Sequence, residues 1–186
     1  MLQMVAVVEM MVGWVAWMFA FRQPSRMKHG EERQRAKSSR WGIGLVMVGY
    51  TFAFAYVRPA HGYSKSTAEL IASMILVPPS VALAWMAARE LGKQWRFQAA
   101  ISEGHDLITT GPYRFVRHPI YASMLMMLVA TMLAWTWWPM AVIGLVSFVI
   151  GTEIRVRAEE KLLTYHFGDA YRSYRRQTRA YIPFVR

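Results

Sequence analysis

Apolar and polar residues are sorted along this chain into long blocks. Five apolar runs, at about residues 2–21, 41–57, 68–88, 119–135 and 138–152, are separated by stretches that hold most of the charge. A helix rises about 1.5 Å per residue, so roughly 20 apolar residues cross the hydrocarbon core of a bilayer. The last two runs are short for that. They are joined by Thr136-Trp137-Trp138-Pro139, a tight aromatic turn, which predicts a helical hairpin over 119–152. Each can extend beyond the lipid at its far end, the fifth into Glu153-Ile154-Arg155. A second helical stretch is expected from Glu153 to about Phe167, stopped by Gly168. The pattern predicts an all-α, polytopic membrane protein with about five transmembrane helices. Residues 1–88 would hold three of them with a basic loop, and residues 89–186 the remainder of the chain.

Composition supports this. The chain has 186 residues, 55% of them apolar, and a net charge of +11. A soluble basic protein would spread its charge, whereas here charge is segregated from the apolar runs. Lys and Arg number seven in residues 22–40, two in 58–67, five in 89–118, none at 136–137 and eight from 153 onward. With five spans, twenty of the 22 fall on one face. Cytoplasmic loops carry the excess of Lys and Arg, so that face is expected to be cytoplasmic, with the N-terminus outside. Basic blocks also suit nucleic acid. Their juxtamembrane position makes anionic lipid headgroups the better counter-charge, so membrane lipids and no nucleic acid are expected as partners. Met1-Leu2-Gln3-Met4 lacks a basic leader and no small-residue cleavage site follows, which reads as a retained span. Without cysteine there is no disulfide, thiolate zinc site or cysteine nucleophile.

Three groups of residues could carry chemistry. Gly111-Pro112-Tyr113-Arg114-Phe115-Val116-Arg117-His118-Pro119-Ile120-Tyr121 leads straight into the fourth apolar run. Gly-Pro starts a turn and Pro119 suits the first turn of a helix, so the cluster should sit at a helix lip on the membrane boundary. A juxtamembrane anchor would look similar, although anchoring needs no histidine between an arginine and a proline. Arg155, Glu159, Leu162 and His166 share one helix face. There an i,i+4 ion pair is the plain alternative, contributing a few tenths of a kcal/mol. Two adjacent carboxylates, Glu159 and Glu160, just past a span are the functional one. Glu9, within the first span, reads as a group snorkelling to the outer interface. The five histidines show no zinc-ligand spacing, so no metal site is expected. There is no P-loop and no G-x-G-x-x-G.

Several blocks resemble the isoprenylcysteine carboxyl methyltransferases. They are Leu91-Gly92-x-x-Trp95, His105-x-Leu107-Ile108-Thr109-x-Gly111-x-Tyr113, Arg117-His118-Pro119-x-Tyr121, Glu159-Glu160-x-x-Leu163, Phe167-Gly168-x-x-Tyr171-x-x-Tyr174 and Ile182-Pro183-Phe184. Phospholipid N-methyltransferases share parts of the pattern. The resemblance covers roughly residues 89–186. It implies a membrane methyltransferase with S-adenosyl-L-methionine held in a cytoplasmic helical pocket. The implied cofactor contacts fall on Gln98, His105, Asp106, Leu107, Ile108, Tyr113, His118, Pro119, Ile120, Tyr121, Glu159 and Glu160. The substrate-positioning arginine falls on Arg155, and Arg155, Glu159 and His118 are the expected catalytic set. The acceptor is expected to be lipophilic, a carboxylate first, with a phospholipid or small-lipophile N- or S-methyltransferase as the alternative. A non-enzymatic lipid-binding module is the competing class. Prenyl-protein members generally have longer N-terminal membrane regions, which favours a small lipophile or lipid. All of this requires the helix after the hairpin to fold back so that Arg155 and Glu159 face His118 and Tyr121.

Overall fold

The structure is a computed structural model and describes residues 1–22, 32–35, 39–55, 64–92, 100–102 and 106–181. In chain order the elements are α1 (Leu2–Ala20), β1 (Glu32–Arg35), α2 (Ser39–Phe54), α3 (Thr67–Leu91), β2 (Ala100–Ser102), a 3-10 turn (Gly111–Arg114), α4 (Pro119–Ala134), α5 (Trp138–Phe167) and α6 (Asp169–Gln177). The architecture is helical, as expected. One addition is a short antiparallel ladder between β1 and β2, pairing Gln34 with Ile101 and Arg35 with Ala100. It joins the two segments that precede α2 and the 3-10 turn, where loop backbone needs hydrogen-bond partners.

Three helices are long and apolar enough to cross a membrane: α1, α3 and α5. α4 is apolar but only 16 residues long, and α2 is also 16 residues. The outward faces of α1 (Val8, Met11, Val12, Val15) and α5 (Val142, Val146, Val149, Ile150) are exposed apolar surface, as expected of helices that meet lipid. Glu9 is half-buried on α1.

Helix ends follow local chemistry. Ser66 caps α3 in a reciprocal box: its hydroxyl accepts from the Glu69 N–H, and the Glu69 carboxylate accepts from the Ser66 N–H. α3 runs on through Pro78 and Pro79. α5 is where expectation and structure differ most usefully. The fifth apolar run and the stretch from Glu153 are one unbroken helix of 30 residues, about 45 Å long. It runs without a break from the apolar block into the charged residues beyond Glu153. Gly168, at φ +54°, ends it as predicted, in a backbone region that L side chains rarely adopt.

α2 packs along α5, α3 along α4 and α1 along α3, while α4 touches all four other long helices. Two apolar clusters result. Met10, Val77 and Met127 join α1, α3 and α4; Val46, Leu128, Met132 and Phe148 join α2, α4 and α5. Hydroxyls fasten the same seams to backbone carbonyls: Ser73 to Ala130 O and Ser80 to Ser123 O, both 2.8 Å. Such interhelical bonds suit apolar surroundings, where an unpaired hydroxyl is costly.

Candidate active site

The polar cluster begins where Gly111 turns the chain with φ +57°. Pro112 starts the 3-10 turn, and the Thr110 hydroxyl donates to the Glu90 carboxylate at the end of α3. Tyr113 is buried in this turn, and its phenol is pushed well up by that burial and then by the nearby Glu159 charge. His118 stands at the N-cap of α4 with Pro119 as first helical residue, the lip geometry that the sequence predicts.

α5 meets this lip with its polar extension. Tyr121 donates from its hydroxyl to Glu159 Oε1, and Arg155 donates from Nε to the same hydroxyl at 2.8 Å. The guanidinium also lies 5.4 Å from the centre of the Tyr121 ring. The Arg155–Glu159 ion pair is long, 3.9 Å. Both residues are turned toward Tyr121, so the simple i,i+4 pair is not what organises them. His118 sits between the two carboxylates, with Nδ1 3.6 Å from Glu159 and Nε2 3.4 Å from Glu160. Neither is a good hydrogen bond, and Nε2 is buried without one among the described residues.

Glu160 has different company. Its Oε1 accepts from Arg117 at 2.7 and 3.1 Å, and Oε2 lies 3.3 Å from Arg175 on α6. It lies well beyond the apolar part of α5. Burial would raise its pKa, but His118 and Arg117 beside it outweigh that and hold the carboxyl down at about 2. Arg117 further donates to the carbonyls of Thr178 and Arg175. The chain after α6 is strapped along the lip: the Arg117 N–H donates to Arg179 O at 2.7 Å and the His118 N–H to Ala180 O at 2.8 Å. Tyr174 donates to Tyr113 O at 2.6 Å, and Tyr181 donates to Glu153 at 2.7 Å while packing 6.1 Å from His118.

The structure therefore brings together Tyr113, His118, Pro119, Tyr121, Arg155, Glu159 and Glu160. Ile120 is half-buried beside them on α4. Leu107 and Ile108 are half-buried and Asp106 exposed in the irregular run before the 3-10 turn. Gln98 and His105, like Trp95 and Ile182 to Phe184, lie outside the described residues. On the predicted face of α5, Leu162 is half-buried, and His166 is exposed and takes no part. Sequence reasoning missed Glu90, Tyr181 and the fastening role of Arg117. Arg117 is in the motif, but its position between a carboxylate and two carbonyls from α6 and the strap is set by chain reversal, which has no local signal.

The ICMT (isoprenylcysteine carboxyl methyltransferase) family model matches residues 72–165, just over half of the chain. The chain belongs to this family. Protein-S-isoprenylcysteine O-methyltransferase of Schizosaccharomyces pombe (strain 972 / ATCC 24843) is 32% identical over 85 residues, which cover 45% of this chain and 36% of that relative. The chain thus matches little more than a third of the relative's length. The segment shared with the methyltransferase family contains His118, Tyr121, Arg155, Glu159 and Glu160. It leaves out α1, α2 and the strap after α6.

Proposed function

We propose that this protein transfers a methyl group from S-adenosyl-L-methionine to a lipophilic carboxylate at the cytoplasmic face of a membrane, giving a methyl ester. Its five helices would span the bilayer with the N-terminus outside, an arrangement supported by twenty of 22 basic residues falling on one side. The observation that carries the reading is the convergence of Arg155, Tyr121, Glu159 and His118 at the lip.

The donor set suits this cofactor. Glu159 offers a partly exposed carboxylate (23% side-chain exposure) to a sulfonium. The Tyr113 and Tyr121 rings offer π faces, and buried His118 Nε2 has capacity for a polar partner. When bound, S-adenosyl-L-methionine supplies a methyl group on a cationic sulfur that leaves as a neutral thioether. The protein's own part is then positioning. Arg155, a buried cation braced by the Tyr121 hydroxyl, orients an acceptor carboxylate, which is nucleophilic as the anion and needs no base. An amine acceptor would need one. Glu160, the obvious carboxylate for that, is engaged by two arginines and held low in pKa. An apolar cavity of about 880 Å³ between α3 and α4, lined by Leu83, Met86, Leu125 and Met126 with Tyr181 toward His118, has the character to hold the acceptor's chain.

The test is calorimetric binding of S-adenosylhomocysteine to the detergent-purified protein. Saturable binding is expected, weakened about 100-fold by Glu159→Ala and about 10-fold by His118→Ala. Wild-type protein that binds none would overturn the reading.

A further inference from the structure

Arg155 is braced from a second side, by α2, which lies outside the family match. α2 and α5 cross antiparallel on two glycine pairs. A Cβ on Gly49 would lie 2.8 Å from Gly144 O and 2.9 Å from Phe148 Cβ, and one on Gly42 2.7 Å from Gly151 O. Those approaches are closer than any side chain allows, so the backbones touch along the seam. Gly42 differs from Gly49 in one respect. Its missing Cβ would also stand 2.7 Å from Arg155 Cγ and 3.3 Å from Arg155 N. The stem of the arginine therefore lies in the space that glycine leaves open, with its head against Tyr121.

We propose that Gly42 is a positioning residue for Arg155: the bare α2 backbone at this point sets the direction of the guanidinium, and with it the seat of the acceptor carboxylate. The catalytic part of this proposal rests on the methyltransferase reading, while the geometric part does not. A methyl group at 42 displaces the arginine stem toward the site and breaks its bond to Tyr121. Added at 49, the same methyl strains the seam as much and leaves Arg155 in place. Added at Gly44, where no atom of another helix lies within 4 Å, it leaves the seam and Arg155 untouched.

The experiment compares Gly42→Ala, Gly49→Ala and Gly44→Ala in purified protein. The first readout is phenylglyoxal modification of Arg155 followed by mass spectrometry. Arg155 is 8% exposed in the wild type and should react slowly. Gly42→Ala is expected to speed its modification about five-fold and the other two to leave it within about two-fold, with S-adenosylhomocysteine affinity unchanged in all three. The second readout is methyl transfer to N-acetyl-S-farnesylcysteine. Gly42→Ala should raise KM for this carboxylate about ten-fold and change kcat little, the signature of lost acceptor seating. Equal Arg155 reactivity in the Gly42 and Gly49 variants overturns the proposal. If Gly42→Ala does not fold while Gly49→Ala, which meets a carbonyl as closely, does, Gly42→Ala with Arg155→Ala decides: recovery of a folded protein supports the contact and failure overturns it, as does equal failure of the two single variants. Wild-type protein that binds S-adenosylhomocysteine but methylates no carboxylate would sink the acceptor reading, and the reactivity of Arg155 would still decide the geometry.

Discussion

The N-terminal helices and the C-terminal half hold themselves together by different physics. In α1 to α3 the contacts are rings, small residues and single hydroxyls. Trp14 packs edge-on against Trp17 and Tyr50 at 5.6 and 5.2 Å, and its indole N–H reaches the Thr131 hydroxyl at 2.9 Å. From residue 113 to 181 the polar end of the bundle is held by charge, with Arg117, His118, Arg155 and Arg175 gathered on Glu159 and Glu160. The boundary follows solvent. Charges are expensive in lipid and affordable only where several are paired near water, while hydroxyls aimed at carbonyls satisfy themselves in either medium. α5 crosses from one regime to the other within a single helix. Its first half meets α2 through glycines, and its second half carries the site.

That contrast can be broken from the charged side first. Glu160→Ala would leave the largely buried Arg117 without its carboxylate partner, at a cost of about 3 kcal/mol. The expected outcome is a clear drop in thermal unfolding temperature, with S-adenosylhomocysteine binding lost as the lip loosens. Unchanged stability would mean that the charge cluster fastens nothing. A middle-sized effect is expected at Tyr174, whose hydroxyl bonds to Tyr113 O. Tyr174→Phe should cost about 1 kcal/mol and weaken S-adenosylhomocysteine binding a few-fold, since the turn bearing Tyr113 is loosened while the helix bundle stays intact. Titration calorimetry beside a melting curve separates the two quantities. The smallest effect belongs to the apolar half. Ser80→Ala removes one bond between α3 and α4 and should cost about 0.6 kcal/mol with no change in cofactor affinity. A loss of binding there would show that the two regions are less separable than their chemistry suggests.

Much of this protein was legible in its residue order. Apolar blocks placed α1 and α4 to within a residue or two, because burial in lipid needs a continuous run and little else. Gly111, Pro119 and Gly168 punctuated the chain where expected, since a positive φ or a helix start is a local demand. The density of Arg117, His118 and Tyr121 and the pair Glu159-Glu160 marked the two walls of the site. Their meeting was a condition that sequence could state and only the fold could satisfy. The length of α5 is not legible in the residue order, because its composition changes at Glu153 while its backbone does not.

Residue order by itself determined which segments are apolar, where they turn and which side groups could do chemistry, all of which depend on neighbours a few positions away. Tertiary structure alone decided that Glu160 fastens while Glu159 faces the site. The two are adjacent on a helix about 100° apart per residue, so what each meets depends on the elements packed against either side. It also decided that Gly42, more than a hundred residues from Arg155 and unremarkable in sequence, is the surface on which that arginine rests. Close approach between distant backbones leaves no mark in the chain beyond a missing side chain.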